Sequence, residues 1–140
     1  MKTAVIYWSG TGNTEAMANA VAEGMKEAGA EVTMLTPDQV QAGELGSYGA
    51  IAFGCPAMGS EVLEEMDFQP MFDACKNMLS GKRVALFGSF GWGDGQWMRD
   101  WESDCSNAGI SLTCESVTCC ETPDDTALAA CREMGKALAG

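Results

Sequence analysis

The chain has 140 residues, and eight Lys plus Arg against twenty Asp plus Glu give it a formal net charge of −12, with no histidine to offset it. That length accommodates one ordinary domain, and 46% hydrophobic with 20% charged residues excludes intrinsic disorder, collagen and coiled coil. The acidic excess excludes unspecific binding to nucleic acid or to an anionic membrane, so any phosphate ligand must be held by something other than bulk charge.

In chain order, Ala4–Trp8 is a short apolar run ending at Ser9 and Gly10. A stripe at Met17, Val21, Met25 and Ala28 follows, with Ala18 and Ala22 beside it, and the spacing predicts strand, tight loop, helix. Gly29 ends that helix, Glu31–Leu35 alternates as a short strand, and the segment 49–54 carries the apolar run Ala50–Phe53. Pro70 in a first helical turn introduces the stripe Met71, Phe72, Cys75, Met78 and Leu79, which Gly81 stops. The run 84–88 is the kind of strand that is buried on both faces. Trp97, Met98, Trp101, Cys105 and Ala108 make the next helical stripe, and Ile110, Leu112 and Cys114 alternate as a last strand. Asp124 or Asp125 then opens a C-terminal helix with Leu128, Cys131, Met134, Gly135 and Leu138 inward.

Strands that alternate with helices of this length predict a doubly wound α/β fold, five parallel strands with helices on both faces. In such sheets ligands sit beyond the carboxyl ends of the strands where strand order reverses, which directs attention to the loops after strands one, three and four. Seven cysteines is an odd count, and no secretory pattern precedes the first strand, so a reduced, cytoplasmic protein is expected. No apolar stretch approaches the roughly 20 residues a membrane-spanning helix needs.

The first loop, Ser9-Gly10-Thr11-Gly12-Asn13-Thr14, holds three hydroxyls, two glycines and no basic side chain between a strand and a helix. Backbone N–H groups, hydroxyls and the positive end of the helix dipole together suit a buried terminal monophosphate. A nucleoside triphosphate loop is absent, and the dinucleotide pattern fails because Glu15 stands where a third glycine is needed. The second loop reads Cys55-Pro56-Ala57-Met58-Gly59-Ser60-Glu61, and the third Ser89-Phe90-Gly91-Trp92-Gly93-Asp94-Gly95. Trp97 and Trp101 lie four apart on a helical stripe and belong in the core, whereas Trp92, between two glycines, suits stacking on a flat ligand. Met58 on the opposite loop suits the other face, since a thioether packs well against a ring. A flat ring between Met58 and Trp92, with one phosphate at residues 9–14, describes flavin mononucleotide (FMN).

These three loops, with Val5–Tyr7 before the first and Ala85–Gly88 before the third, resemble those of short-chain, clostridial-type flavodoxins, and the resemblance covers essentially the whole chain. It implies a single flavodoxin-like domain over residues 1–140 with strand order 2-1-3-4-5. It also implies a low-potential one-electron carrier with non-covalent FMN, cycling mainly between semiquinone and hydroquinone, without substrate turnover, catalytic residues or metal. The implied FMN-binding residues are Ser9, Gly10, Thr11, Gly12, Asn13 and Thr14 for the phosphate, and Met58 and Trp92 flanking the ring. Pro56, Ala57, Ser89, Phe90, Gly91 and Gly93 belong to the same loops, with Ala57 and the Gly91 region offering backbone donors to the pyrimidine end. Glu61 is implied to accept from the flavin N3–H. The Met58-Gly59 peptide is implied to turn over so that the Gly59 carbonyl accepts from N5–H of the reduced ring. Phe90 stands where relatives often carry Tyr, and Thr118–Glu121 has no clear family counterpart.

Glu61, Glu64, Glu65 and Asp67 form an expected acidic rim for docking to basic patches on redox partners, such as oxidoreductases or hydrogenase- and ferredoxin-linked systems. No nucleic acid or membrane is expected among the partners, and a monomer suffices. Competing readings are a flavin-dependent quinone or nitro-group reductase on the same fold, and a flavoprotein activator dedicated to one enzyme. Cys114, Cys119, Cys120 and Cys131 match no common ligand spacing for zinc or an iron–sulfur cluster, and Cys75, Cys105, Cys114 and Cys131 read as small buried hydrophobes. No cysteine is followed six residues later by arginine, which excludes a small tyrosine phosphatase, and the acidic residues of a receiver domain are missing.

Overall fold

Ala4–Ile6, Ala50–Phe53 and Val84–Phe87 are fully buried, because each of these apolar runs lies in the middle of a sheet covered on both faces. The computed structural model describes residues 1–59 and 61–140; Ser60 of the second loop lies outside the described residues. Its strands are β1 (Lys2–Tyr7), β2 (Glu31–Leu35), β3 (Ala50–Gly54), β4 (Arg83–Phe90) and β5 (Val117–Cys120), all parallel in the order β2-β1-β3-β4-β5. The helices are α1 (Asn13–Glu27), α2 (Phe68–Cys75), α3 (Gln96–Asn107) and α4 (Asp125–Ala139). The edge strands β2 and β5 alternate in burial, as strands with one flank open to solvent do.

Two cores sandwich the sheet. One packs Phe68 and Phe72 of α2 with Trp97 and Trp101 of α3 against Ile6, Phe53 and Leu86. The other packs Met17, Val21 and Met25 of α1 with Cys131, Met134 and Leu138 of α4 against Val5, Ala52 and Phe87. In the first core Trp101 meets Phe68 and Phe72 edge to face, with centroids 5.4 and 5.6 Å apart, while the two phenyl rings stack on each other. No helix among the described residues is long and apolar enough to cross a membrane.

The fold corrects two expectations. The last strand is β5, Val117–Cys120, and not Ile110–Cys114; Leu112 makes only an isolated bridge to Val84. The ladder resumes at Phe87↔Val117, so five residues of one chain span three of the other and the intervening residues bow out. Alternating apolar residues therefore marked where the chain first touches the sheet, not where it pairs. Met78, assigned to an inward stripe, is 45% exposed, because α2 ends at Cys75 and a tighter 3₁₀ turn at Lys76–Met78 changes the helical phase.

Glu64 is the third correction, for it is no rim carboxylate. It is 5% exposed, and its carboxylate accepts the backbone N–H groups of Met66 (2.7 Å), Asp67 (2.8 Å) and Phe68 (2.7 Å) at the start of α2. Burial pushes the carboxyl up, but these three donors together outweigh it and hold the group below the usual glutamate range. A folded-state value below the unfolded one stabilises the fold above the unfolded value of about 4.3 and is lost as pH falls through the folded value. Glu64→Gln is expected to cost about 2 kcal/mol at neutral pH, from the loss of charge-assisted bonds. In urea titrations the gap between variant and parent should close as the solution is acidified; a gap that persists at low pH would contradict this account.

Candidate functional site

The loops after β1, β3 and β4 converge at the carboxyl end of the sheet, where they enclose a cavity of about 330 Å³. That is the lower end of the range for ligand pockets. The first loop contributes Gly10, Thr11 and Asn13, the second Pro56, Ala57 and Met58, and the third Ser89, Phe90 and Gly91. Trp8 and Glu121 complete the wall. Neither was identified from the sequence. Trp8 could have been, as an aromatic at the carboxyl end of a strand beside a glycine-rich loop. Glu121 was hidden by the misplaced last strand: it follows β5, has φ 59°, and its N–H donates to the Phe90 carbonyl at 2.7 Å.

The first loop is shaped around its own hydroxyls. Ser9 Oγ accepts from the Gly12 N–H (3.1 Å) and the Glu15 N–H (3.3 Å), and Gly12 adopts φ 95° as the cap of α1. Gly12 and Ser9 are thus engaged with each other rather than with the cavity, which leaves the Ser9 proton free to donate. The backbone N–H groups of Thr11, Asn13 and Thr14 have no intramolecular acceptor among the described residues, so they remain available at the positive end of a 15-residue helix. A Cβ on Gly10 would come within 3.1 Å of the Trp8 ring, so glycine lets the loop close over that indole. Buried Thr14 lies with its hydroxyl 3.4 Å from that of Ser89, tying the first loop to the third.

In the second loop, the Met58 N–H donates to the Val62 carbonyl and the Glu61 N–H donates back to the Met58 carbonyl, both at 2.8 Å. This turn puts Glu61 at φ 53° and leaves Gly59 exposed with nothing near a potential Cβ. Glu61 Oε1 is buried and without a hydrogen-bond partner among the described residues. It lies against Gly93, where a Cβ would approach it to 2.2 Å, so a side chain at 93 would displace the carboxylate. A buried acceptor without a donor is costly unless a ligand supplies one. The Ala57 N–H, expected to serve a ligand, already donates to the Ser89 carbonyl at 3.0 Å, since the strand-like pairing of β3 and β4 continues past Gly54. The N–H groups of Gly91, Trp92 and Gly93 have no acceptor among the described residues. Trp92, in the third loop, is 60% exposed and, like Glu61, is not among the residues that line the cavity, whereas Trp97 is buried and its indole N–H donates to the Cys55 carbonyl at 3.1 Å.

The donors of the first loop, the apolar walls at Trp8, Met58 and Phe90, and the orphan acceptor at Glu61 fit the phosphate, ring and imide N–H of FMN. The buried thiols take no part in this chemistry. Cys55, whose burial the sequence did not reveal, is fully buried; its sulfur accepts from the Glu64 N–H at 3.4 Å, and burial pushes its thiol up to about 12. Cys105 and Cys131 are likewise pushed up to about 12 by burial, and Cys119 to about 11. These thiols stay protonated at neutral pH.

Comparison with known proteins agrees with this geometry. The family model described as Flavodoxin matches residues 5–135. Over 135 residues the chain is 44% identical to a flavodoxin of Clostridium beijerinckii, covering 96% of this chain and 97% of that one. Over the same length it is 42% identical to a flavodoxin of Megasphaera elsdenii, covering 96% of each. The solution structure of two-electron reduced Megasphaera elsdenii flavodoxin is similar with a TM-score of 0.90 at 41% identity, covering 98% of both chains.

Proposed function

The chain belongs to the flavodoxin family, and from that premise we propose how its own residues hold FMN and tune it. The protein is an FMN-binding electron carrier working with redox partners, not an enzyme that turns over a substrate. When bound, FMN supplies reversible one-electron chemistry; the chain supplies position, donors and field. The observation that carries the reading is the convergence of three loops on one cavity, with free N–H donors in the first loop and an orphan Glu61 carboxylate oxygen of the second packed against Gly93 of the third.

The Ser9 hydroxyl and the N–H groups of Thr11, Asn13 and Thr14 hold the phosphate, with Gly10 and Gly12 shaping the loop, and the α1 dipole replaces the missing basic side chain. Met58 and Trp92 cover the two faces of the ring. The Glu61 carboxylate accepts from its imide N–H, and the Gly91–Gly93 N–H groups bind its pyrimidine carbonyls. Pro56, Ala57, Ser89 and Phe90 shape the wall. Negative charge added at this site meets Glu61, Glu65 and Asp67, which enter no ion pair among the described residues, and a chain of net charge −12, which lowers the potential of the last electron. Glu64, kept ionised by its three N–H donors, adds to that field, whereas Asp94 is paired with Arg99 at 2.9 Å.

Residues 1–140 act as a single domain, monomeric and cytoplasmic, that docks to basic patches on its partners. The acidic surface and seven free cysteines support this. The decisive experiment is FMN titration of the apo protein followed by stepwise anaerobic reduction. Expected are 1:1 quenching of flavin fluorescence and two well-separated one-electron steps; a single two-electron step, or no binding, would overturn the reading. Because alanine fits at Gly59 in the present conformation, any preference for glycine there arises from a second orientation of the Met58-Gly59 peptide. Gly59→Ala should therefore leave FMN affinity within about twofold and narrow the separation of the two potentials by about 30 to 60 mV, the equivalent of one weakened hydrogen bond. Potentiometry on the loaded variant checks it.

A further inference from the structure

Residues 55–64 leave the end of β3 and return to the start of α2, carrying Met58, Gly59 and Glu61 on the way. The inner turn of this excursion is closed by its own backbone: Met58 forms an isolated antiparallel bridge with Val62, and the Glu61 N–H donates to the Met58 carbonyl. Below the turn, no backbone hydrogen bond joins the outgoing arm to the returning one among the described residues. Pro56 has no N–H to offer there. The connection comes instead from a side chain, since the Cys55 sulfur accepts the Glu64 N–H at 3.4 Å.

Both ends of that bond are anchored. Cys55 is fully buried, and each of its polar groups engages a different segment. Its N–H donates to the Phe87 carbonyl of β4 and its carbonyl accepts from the Trp97 indole of α3, both at 3.1 Å. Its thiol also donates to the adjacent Pro56 carbonyl at 3.5 Å. Glycine at 88 makes room for the Cys55 carbonyl, which a Cβ there would overlap. Glu64, for its part, grips α2 through its carboxylate, and its carbonyl accepts the Gln69 N–H at 2.8 Å. The sulfur thus closes a neck between two fixed points, and only residues 56–63 lie beyond it. A loop with a loose base must be ordered anew whenever its tip makes a bond, and that ordering weakens the bond made.

We propose that Cys55 is a positioning residue for the cofactor: by holding the Glu64 N–H, its sulfur fixes the base of the second loop, so that Met58 and Glu61 are set for the ring and the turn at Gly59 rearranges alone on reduction. The proposal rests on the FMN reading given above and adds what holds the moving turn. The sulfur acts as a hydrogen-bond acceptor and does not react.

The test compares Cys55→Ala with Cys55→Ser. Both remove the volume of the sulfur, but only serine keeps an acceptor for the Glu64 N–H, so a role in packing alone would make the two variants alike. Cys55→Ala is expected to weaken FMN binding about fivefold, the loss of one hydrogen bond. It should also narrow the separation of the two one-electron potentials by about 40 mV, the equivalent of a fivefold change in a one-electron equilibrium. Cys55→Ser should stay within about twofold of the parent in affinity, with its potentials closer to the parent's than those of Cys55→Ala. Equal changes in the two variants, or none in Cys55→Ala, would overturn the proposal and leave the FMN reading standing.

Amide exchange on the parent supplies a measurement that needs no variant. In the apo protein the Glu64 N–H is expected to exchange at least about a hundredfold more slowly than an exposed loop amide. Between oxidised and fully reduced FMN-loaded protein it should hold its rate, while the Glu61 N–H changes. A freely exchanging Glu64 N–H, or one that responds to reduction as strongly as that of Glu61, would show the neck to be open and overturn the proposal. Failure of the parent to take up FMN would remove the underlying reading and the proposal with it.

Discussion

Trp97→Ala is expected to cost about 4 kcal/mol of stability, whereas Trp92→Ala should leave the apo protein within about 0.5 kcal/mol of the parent and weaken FMN binding about tenfold. The two indoles differ in what they touch. Trp97 is 1% exposed, packs at 5.5 Å against Phe90, and satisfies the Cys55 carbonyl through its ring N–H. Removing it opens a cavity beneath the second and third loops and strands a buried carbonyl, so both the transfer and hydrogen-bond terms are lost together. Trp92 is 60% exposed on a glycine-flanked loop, so its ring has little packing in the chain to lose. Urea unfolding of the apo proteins and fluorescence titration with FMN measure the two effects separately. Equal FMN affinity of Trp92→Ala and the parent would show that the ring stacks elsewhere.

Gly24→Ala should destabilise by about 3 kcal/mol, although alanine in a helix interior normally gains about 1 kcal/mol over glycine. The reversal comes from how closely α1 and α4 cross. A Cβ at Gly24 would lie 1.9 Å from the Arg132 carbonyl oxygen, and one at Gly135 would lie 2.1 Å from that of Val21. Backbone cannot swing aside as a flexible side chain can, so either methyl group must push the helices apart and loosen the Met17–Met134 core. The double variant should cost less than the sum of the two single ones, because the first methyl group already creates the separation that the second needs. Gly46→Ala, with no atom near its potential Cβ, is the control expected to change little. Thermal unfolding of the four proteins reads the series; a gain in Tm for Gly24→Ala would mean the helices are not held at this distance.

The identities of the loops were legible because phosphate and ring recognition here uses backbone and short side chains. Ser9-Gly10-Thr11-Gly12-Asn13-Thr14 carries its chemistry in its residue types, and a strand before and a helix after were visible as apolar runs of the right period. Trp92 and Trp97 were distinguishable for the same reason: one sits between glycines, the other on a stripe. Glu64 was not, because a carboxylate in an acidic run looks like its exposed neighbours until three N–H groups are brought to it. The Ala57 N–H similarly reads as free in sequence and is bound in space.

What the amino-acid sequence determines by itself is local: which segments are strands and helices, which loops can hold an anion, and a charge that keeps polyanions away. Periodicity and backbone chemistry act between residues a few positions apart, so they survive in a linear reading. Tertiary structure alone decided that β5 begins at Val117, that Glu121 and Trp8 wall the cavity, and that Gly93 makes room for the Glu61 carboxylate. Each of these depends on register or close approach between segments far apart in the chain, where a shift of one residue reverses the face a side chain occupies.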